Sequence, residues 1–344
     1  MIILGIETSC DETSVAIVKD GRQTLSITTA SSEWLHQKTS GIVPELAARE
    51  QLSCILPVLI ETLVQFQPKI KPQKALEKID ALAVTSTPGL IGSLLVGIET
   101  AKTLSLITNK PLVPINHLEA HIFANWLDKK PGQFPQMPAL ALIASGGHTE
   151  LVLINKAKKK YQFSFLGGTR DDASGECFDK CARILTLGYP GGPIIAKIAE
   201  KAPRKLINSP PFRLPRPMVN QNNLDFSFSG LKTAVVDQFR KLQQQNLLDE
   251  KTKSFFAWEI QDAITDCLVK KTIQAIQKHS VGSLLLGGGV TANQVLREKF
   301  KEEAKKLNLN LFIPEIRHCT DNGAIVAAAA YFNYSPLHWS KITS

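Results

Sequence analysis

Apolar residues along this chain fall alternately into short continuous runs and into stretches spaced by three and four, so strands and helices interleave. "IILGIE" reads as a buried strand and "DETSVAIV" as a second, joined by a tight polar corner. Residues 45–66, after Pro44, carry helical spacing, and "IDALAVTS" (79–86) is another buried run. "GLIGSLLVGIETAKTLSLIT" predicts a helix packed closely at its glycines, "PLVPI" a short strand, and His117 opens the helix after it. "ALALIASGGHTELVLI" (139–154) has the form of a hairpin with a Gly-Gly corner. Helices are expected at about 174–187 and 193–202, and three more between about 229 and 280. "VGSLLLGGGVTANQVLREKF" is strand, glycine turn and helix. "HCTDNGAIVAAAAY" is a loop feeding an Ala-rich helix capped by Asp321 or Asn322. The interleaving predicts an α/β fold.

The map contains an echo. "LGIETSCDETSVAIV" and "LIASGGHTELVLI" are both apolar strand, small or polar corner, apolar strand, one in each half of the chain. Two similar β-lobes gripping a ligand between their corners would produce that echo, as would chance resemblance of two hairpins.

The 344 residues suffice for two domains, and 44% hydrophobic with 21% charged residues describes a soluble globular chain. The opening "MIILGIETSCDE" meets Glu7, Asp11 and Glu12 too soon for a signal-peptide core, and no segment reads as a membrane helix. Cys10, Cys54, Cys177, Cys181, Cys267 and Cys319 are scattered without a CxxC pair, which with the absent export signal predicts a reducing cytoplasm.

A formal charge of +9 directs attention to polyanions. "KAKKK" (156–160) reads as a charged hairpin tip, and "KAPRKLINSPPFRLPRPM" (201–218) has five basic residues, five prolines and no acid. "KTKSFFAW" (251–258) mixes lysines with aromatics.

Glycine-rich corners supply candidate ligand sites. "LLLGGGVTAN" sets three glycines between strand and helix, where backbone N–H groups suit a phosphate, although it is neither a Walker loop nor GxGxxG. "SGGH" (145–148) and "YPGGP" (189–193) are two more such corners. In "TRDDASGECFDK" (169–180), Asp171 or Asp172 can cap the helix near Ser174, and Asp179 can pair with Arg183 or serve ribose hydroxyls.

His117 and His121 stand four apart, a proper bite for a metal on one helix face. Glu119 makes the order H-x-E-x-H, and two residues turn a helical side chain by about 200°, away from that metal. The general base of an H-E-x-x-H protease is therefore missing. A third ligand must come from elsewhere, with Asp321 and His318 as candidates. Two histidines and a carboxylate suit iron(II), zinc or manganese.

Together "GIETSCDETSVAIV", "NHLEAH", "SGGHTEL", "DDASGECFDK", "YPGG", "FSFSGLKTAV", "GGGVTAN" and "CTDNGA" resemble, in order and across nearly the whole chain, the tRNA N6-adenosine threonylcarbamoyltransferase (TsaD) family of bacterial and organellar type, formerly called O-sialoglycoprotein endopeptidases. The resemblance implies a two-lobed actin/Hsp70/sugar-kinase-like (ASKHA) fold with a ligand cleft between lobes formed by residues 1–122 with 318–344 and by residues 123–317. It implies His117, His121 and Asp321 as ligands of one divalent metal per subunit, iron(II) ahead of zinc or manganese. It places Ala144, Ser145, Gly146, Gly147, His148, Asp179, Gly192 and Asn293 at the substrate nucleotide, and Asp11, Glu12 and His148 remain candidate bases. The implied reaction moves threonylcarbamoyl from threonylcarbamoyl-AMP to N6 of the adenosine beside the anticodon of tRNAs that decode ANN codons, releasing AMP. Implied partners are tRNA, a non-catalytic TsaB-type paralogue and a small TsaE-type ATPase, in the cytoplasm and without a membrane. An ATPase or kinase of the same fold and a metalloprotease are the rival readings.

Overall fold

β1 (Ile2–Glu7) is buried from Ile3 to Glu7, as its continuous apolar run requires, and a sheet is built outward from it. This computed structural model describes residues 1–39, 41–130, 132–158 and 160–343, the side chains of 37–39 excepted. These divide into two units: Met1–Phe134 with Lys156–Gln162 and Pro314–Ser344, and Pro135–Asn155 with Phe163–Ile313.

In the first unit β1 pairs antiparallel with β2 (Glu12–Lys19), and β2 with β3 (Gln23–Ser31). On its other side β1 runs parallel to β4 (Ala81–Thr87), which runs parallel to β5 (Leu112–Asn116). The order is β3-β2-β1-β4-β5. The helices are α1 (Glu33–Thr39), α2 (Pro44–Phe66), α3 (Pro72–Glu77), α4 (Ile91–Thr108), α5 (His117–Phe123) and, from the far end of the chain, α12 (Gly323–Phe332). Ile55 and Leu59 of α2 and Leu94 and Ile98 of α4 close over Leu4, Ile6, Val15 and Ile17.

α12 reaches β1 because both carry glycine at the crossing. A Cβ on Gly5 would lie 2.2 Å from the Gly323 carbonyl oxygen, and one on Gly323 would lie 2.5 Å from that of Gly5. Ala324 and Ala327 to Ala330 extend that contact, each fully buried.

The sheet of the second unit is built from β6 (Ala139–Ala144), β7 (Thr149–Ala157), β8 (Lys160–Gly168), β9 (Ser283–Gly287) and β10 (Asn310–Phe312), the end of β7 and the start of β8 being counted with the first unit. Lys159, in the expected charged tip, lies outside the described residues. β6 pairs antiparallel with β7 and parallel with β9, and β9 is parallel to β10. Read from one edge the order is β8-β7-β6-β9-β10, the arrangement of the first sheet strand for strand. The echoed hairpins therefore mark a repeated topology. Around this sheet stand α6 (Ser174–Ile184), α7 (Gly191–Ala199), α8 (Arg204–Asn208), α9 (Ser229–Gln244), α10 (Glu250–Lys278) and α11 (Gln294–Lys306). Phe178, Ile195, Phe256, Ile260, Leu296 and Phe300 close its core over Leu140, Leu142 and Leu286.

Three expectations change. Residues 229–280 hold two helices among the described residues, because α10 runs 29 residues without a glycine or proline to divide it. α4 does have the length and hydropathy, 1.3 over 18 residues, of a membrane-crossing segment. It carries Glu99 and Lys102 outward and packs Ser93, Leu94, Gly97, Ile98 and Ala101 inward. α7 begins at Gly191, so the "YPGGP" corner is its first turn.

Candidate functional site

The first unit brings His117, His121 and Asp321 together. Asn116 ends β5 and caps α5, its side-chain oxygen accepting from the N–H of Leu118 at 2.9 Å and of Glu119 at 3.3 Å. The helix thus starts at His117 and stacks His121 one turn on, with ring centroids 4.6 Å apart. Asn322, not Asp321, caps α12, accepting from Ala324 and Ile325. Asp321 is turned to the histidines instead: its Oδ1 lies 3.1 Å from His121 Nε2 and 3.6 Å from His117 Nε2.

These distances fit a shared cation. Two bonds of about 2.1 Å at a tetrahedral angle hold their donor atoms about 3.4 Å apart. His121 is fully buried, and neither of its ring nitrogens makes a hydrogen bond among the described residues, so its close approach to Asp321 has the distance but not the direction of one. A buried imidazole without hydrogen bonds is costly. A metal on Nε2 would remove half of that cost. Among the described residues this is the trio of His, Cys, Asp and Glu groups suited to an ion, with ligand atoms within 4.8 Å of one another.

Sequence reasoning missed the residues behind the ligands. Glu7, fully buried at the end of β1, places Oε2 3.1 Å from His117 Nδ1. The same oxygen accepts from Thr85 Oγ1 at 2.6 Å, and Glu7 Oε1 accepts from the Ser9 N–H at 2.6 Å. Holding Nδ1 leaves Nε2 for the metal, as outer carboxylates commonly do. Burial opposes charge on His117, but Asp321 and Glu7 outweigh it and raise its pKa to about 9. Glu12 moves upward too, chiefly through burial and then through Asp11 and Asp321, as does the Cys10 thiol beside it.

Two alternatives are settled. His318 is not a ligand: its Nε2 lies 2.9 Å from Asp128 Oδ2, in a cluster with Arg317 and Thr24. Glu119 points away from the histidines, accepting from Asn333 Nδ2 at 3.4 Å, so it does not take the place of the H-E-x-x-H acid of a zinc protease.

The second unit holds the glycine corners. Residues 145–148 close the β6–β7 hairpin, with the Ser145 N–H donating to the His148 carbonyl at 2.8 Å and the His148 N–H to Ser145 Oγ at 3.1 Å. Gly146 and Gly147 face open space, where an added Cβ would meet nothing within 4 Å. Behind them the packing is tight: a Cβ on Gly175 would lie 2.7 Å from the Ser145 carbonyl oxygen, and one on Gly288 2.4 Å from that of Ala144. The corner, the start of α6 and the triple-glycine turn therefore converge. Asp179 Oδ1 accepts from the Gly191 N–H at 2.7 Å, which seats the first turn of α7 and its neighbour Gly192. Asn293 caps α11 through Leu296 and donates to Gln261 Oε1 at 2.8 Å.

Neither Asp171 nor Asp172 caps α6. Asp171 accepts from the N–H groups of Phe228 and Ser229 at the start of α9, and Asp172 pairs with Lys180 and Lys232. The Ser174 N–H donates to Thr149 Oγ1 instead.

The basic segments differ from one another. Arg213 and Arg216 of the Pro-rich loop are tied to α10: buried Glu259 takes both guanidinium groups, and Arg216 also reaches Asp262 at 2.6 Å and Asp266 at 3.2 Å. In "KTKSFFAW" Phe255 and Phe256 are buried core residues, unable to stack on bases.

A family model described as TsaD, tRNA N6-adenosine threonylcarbamoyltransferase, matches residues 23–328. A protein of that name from Syntrophomonas wolfei is 44% identical over 345 residues, covering 99% of this chain and 95% of its own. One from Thermosipho melanesiensis is 46% identical over 333 residues, covering 96% and 94%. Among solved structures, component A of the Acidaminococcus fermentans (R)-2-hydroxyglutaryl-CoA dehydratase superposes with TM-score 0.53 at 14% identity, over 96% of this chain and 98% of that one. HypF of T. kodakarensis gives 0.56 at 12%, over 96% and 47%. These likenesses show the actin/Hsp70/sugar-kinase-type fold and nothing of activity.

Proposed function

The chain belongs to the tRNA N6-adenosine threonylcarbamoyltransferase family, and from that premise we propose that it transfers threonylcarbamoyl from threonylcarbamoyl-AMP to N6 of the adenosine beside the anticodon in tRNAs decoding ANN codons. It is a transferase acting in tRNA modification. The observation that carries the mechanism is the buried His117–His121–Asp321 trio with Glu7 behind it.

In the reaction a bond forms between adenosine N6 and the carbamoyl carbon. The bond from that carbon to the phosphate oxygen breaks, AMP leaves, and N6 gives up a proton. His117, His121 and Asp321 would hold one divalent metal, iron(II) ahead of zinc or manganese. Such an ion supplies Lewis-acid polarisation of a carbonyl or phosphate oxygen. Glu7 sets the tautomer of His117, so its proton stays on Nδ1.

The open Gly146–Gly147 corner, with Ala144, Ser145, His148, Asp179, Gly192 and Asn293, is assigned to the donor's nucleotide. Bare backbone there lets a phosphate or ribose approach N–H groups that side chains would screen. Asp11, Glu12 and His148 are the candidate bases for the N6 proton. The Glu12 carboxyl is pushed well above the usual carboxylate range, since burial and then Asp11 and Asp321 oppose its charge. A bound cation would offset the repulsion from Asp321.

A kinase of this fold is the second reading, but kinases hold magnesium through carboxylates and phosphates and have no use for a paired imidazole. The partners are assigned as tRNA, a TsaB-type paralogue and a TsaE-type ATPase. Exposed Leu52, Leu56, Ile60 and Val64 on α2, with Ile91 and Leu95 on α4, support a protein partner. Six free thiols support a cytoplasmic setting.

Mass spectrometry of tRNA nucleosides from cells depleted of this protein tests the reading. Threonylcarbamoyladenosine should disappear and return with the wild-type chain but not with His117→Ala. Full rescue by His117→Ala would make that histidine structural. A nucleoside level that never falls would return the kinase reading.

A further inference from the structure

The Pro-rich basic segment divides into two halves of opposite fate. Arg213 and Arg216 are neutralised by Glu259, Asp262 and Asp266. Just upstream, Lys197, Lys201, Arg204 and Lys205 are all exposed, and none has an ion pair or a hydrogen bond to its charged group among the described residues. One acid, Glu200, stands among these four cations within nine residues.

Among the described residues no acid of the second unit pairs with them, whereas several other cations of the unit are engaged: Arg170 with Asp225, Lys180 and Lys232 with Asp172, Lys299 with Asp262 and Asp266. Arg204 and Lys205 open the five-residue α8, close in sequence to Lys197 and Lys201. Like charges this near repel one another, and a polyanion offsets that repulsion.

The strip also continues from the candidate nucleotide corner. Gly192 lies in the first turn of α7 and Lys197 in its last, about 8 Å of helix rise apart. We propose that residues 197–205 form the surface by which the second unit holds the phosphate backbone of its tRNA. This rests on the family reading for the identity of the polyanion. The contact is to phosphates, so it positions the substrate and reads no sequence.

The test is tRNA binding by the full chain as a function of salt, using an in vitro transcript. Each phosphate neutralised contributes roughly 0.7–0.9 to the log–log salt slope. A variant with Lys197→Gln, Lys201→Gln, Arg204→Gln and Lys205→Gln should therefore bind with a slope shallower by about 3, equally for any tRNA. The α11 control Lys301→Gln with Lys305→Gln should keep the wild-type slope. An unchanged slope in the fourfold variant, with its thermal unfolding also unchanged, overturns the strip and leaves the transferase reading intact. So does a variant that loses binding to phosphatidylserine vesicles while keeping tRNA. A wild-type chain that binds no tRNA overturns the strip, and the nucleoside measurement then decides whether the transferase reading falls with it.

Discussion

Glu7 Oε2 and His117 Nδ1 lie 3.1 Å apart, 110 positions distant in the chain, with Ser9 Oγ 3.3 Å from the same nitrogen, and the carboxylate is the partner that holds a proton on Nδ1 and leaves Nε2 to ligate. Glu7→Gln tests it. Gln can keep the oxygen that accepts from Ser9, but it then turns an NH2 toward His117. That NH2 donates to Nδ1 and forces the imidazole proton onto Nε2, the wrong tautomer for a metal. Affinity for zinc or iron(II) should fall about 10–100-fold while the fold persists. Chelator competition measures it, and an affinity within twofold of wild type would show that Glu7 does not orient the ligand.

The raised pKa of His117 gives metal binding a pH dependence of definite sign. In the metal-free protein the imidazole is protonated below about 9, because Asp321 and Glu7 outweigh the opposing effect of burial. Its charge therefore stabilises the metal-free fold fully below the ordinary histidine pKa of about 6.5, and this is lost as pH rises through 9. A metal must displace that proton. Apparent affinity should rise with pH from about 7 to 9 and level off above, with close to one proton released per ion at neutral pH. Calorimetry in buffers of different ionisation enthalpy counts that proton. No release at pH 7 would mean His117 is already neutral.

Two glycines of the second unit should respond in opposite ways. Gly288→Ala drives a Cβ to 2.4 Å from the Ala144 carbonyl oxygen at a φ of +91°, so about 3 kcal/mol or more of stability should be lost. Gly146→Ala meets open space and should alter stability by no more than about 0.5 kcal/mol, yet screen the backbone from a nucleotide. Denaturant unfolding paired with AMP titration separates the two. AMP bound equally well by Gly146→Ala would remove the corner from the nucleotide site.

The strands and the paired histidines were legible because apolar runs and an i, i+4 spacing are local facts. β1, β4, β5 and the β6–β7 hairpin stand where their runs predict. Glu7 was not legible as a partner of His117, since only the parallel β1–β4–β5 pairing brings their strand ends together. The arginines of the Pro-rich loop misled for another reason: charge was read without its counter-charge. Glu259, Asp262 and Asp266, spaced by three and four, announce an acidic helix face and were the available signal. The three-helix division of residues 229–280 failed because α10 has no breaker, and apolar periodicity alone does not mark ends.

Gln51 carries the last prediction. It is fully buried on α2, and its Nε2 faces three carbonyl oxygens, those of Thr8 at 3.3 Å, Cys10 at 3.0 Å and Glu12 at 3.1 Å. Three acceptors on one side require the amide nitrogen there, and Oε1 is left without a hydrogen bond among the described residues. The residue thus stitches the 8–12 corner that bears Ser9, Asp11 and Glu12 beside the metal ligands. Two further carbonyls of the corner are held elsewhere, Ser9 by the Leu90 N–H and Asp11 by Ser32. Gln51→Leu keeps the volume and removes the donor, which should cost about 1–3 kcal/mol of stability. If Gln51 positions the corner, kcat should fall at least tenfold below the unfolding temperature while KM for tRNA stays within twofold, because the displaced groups act on the reacting centre and not on RNA docking. A variant that loses stability but turns over at the wild-type rate would reduce Gln51 to a packing role.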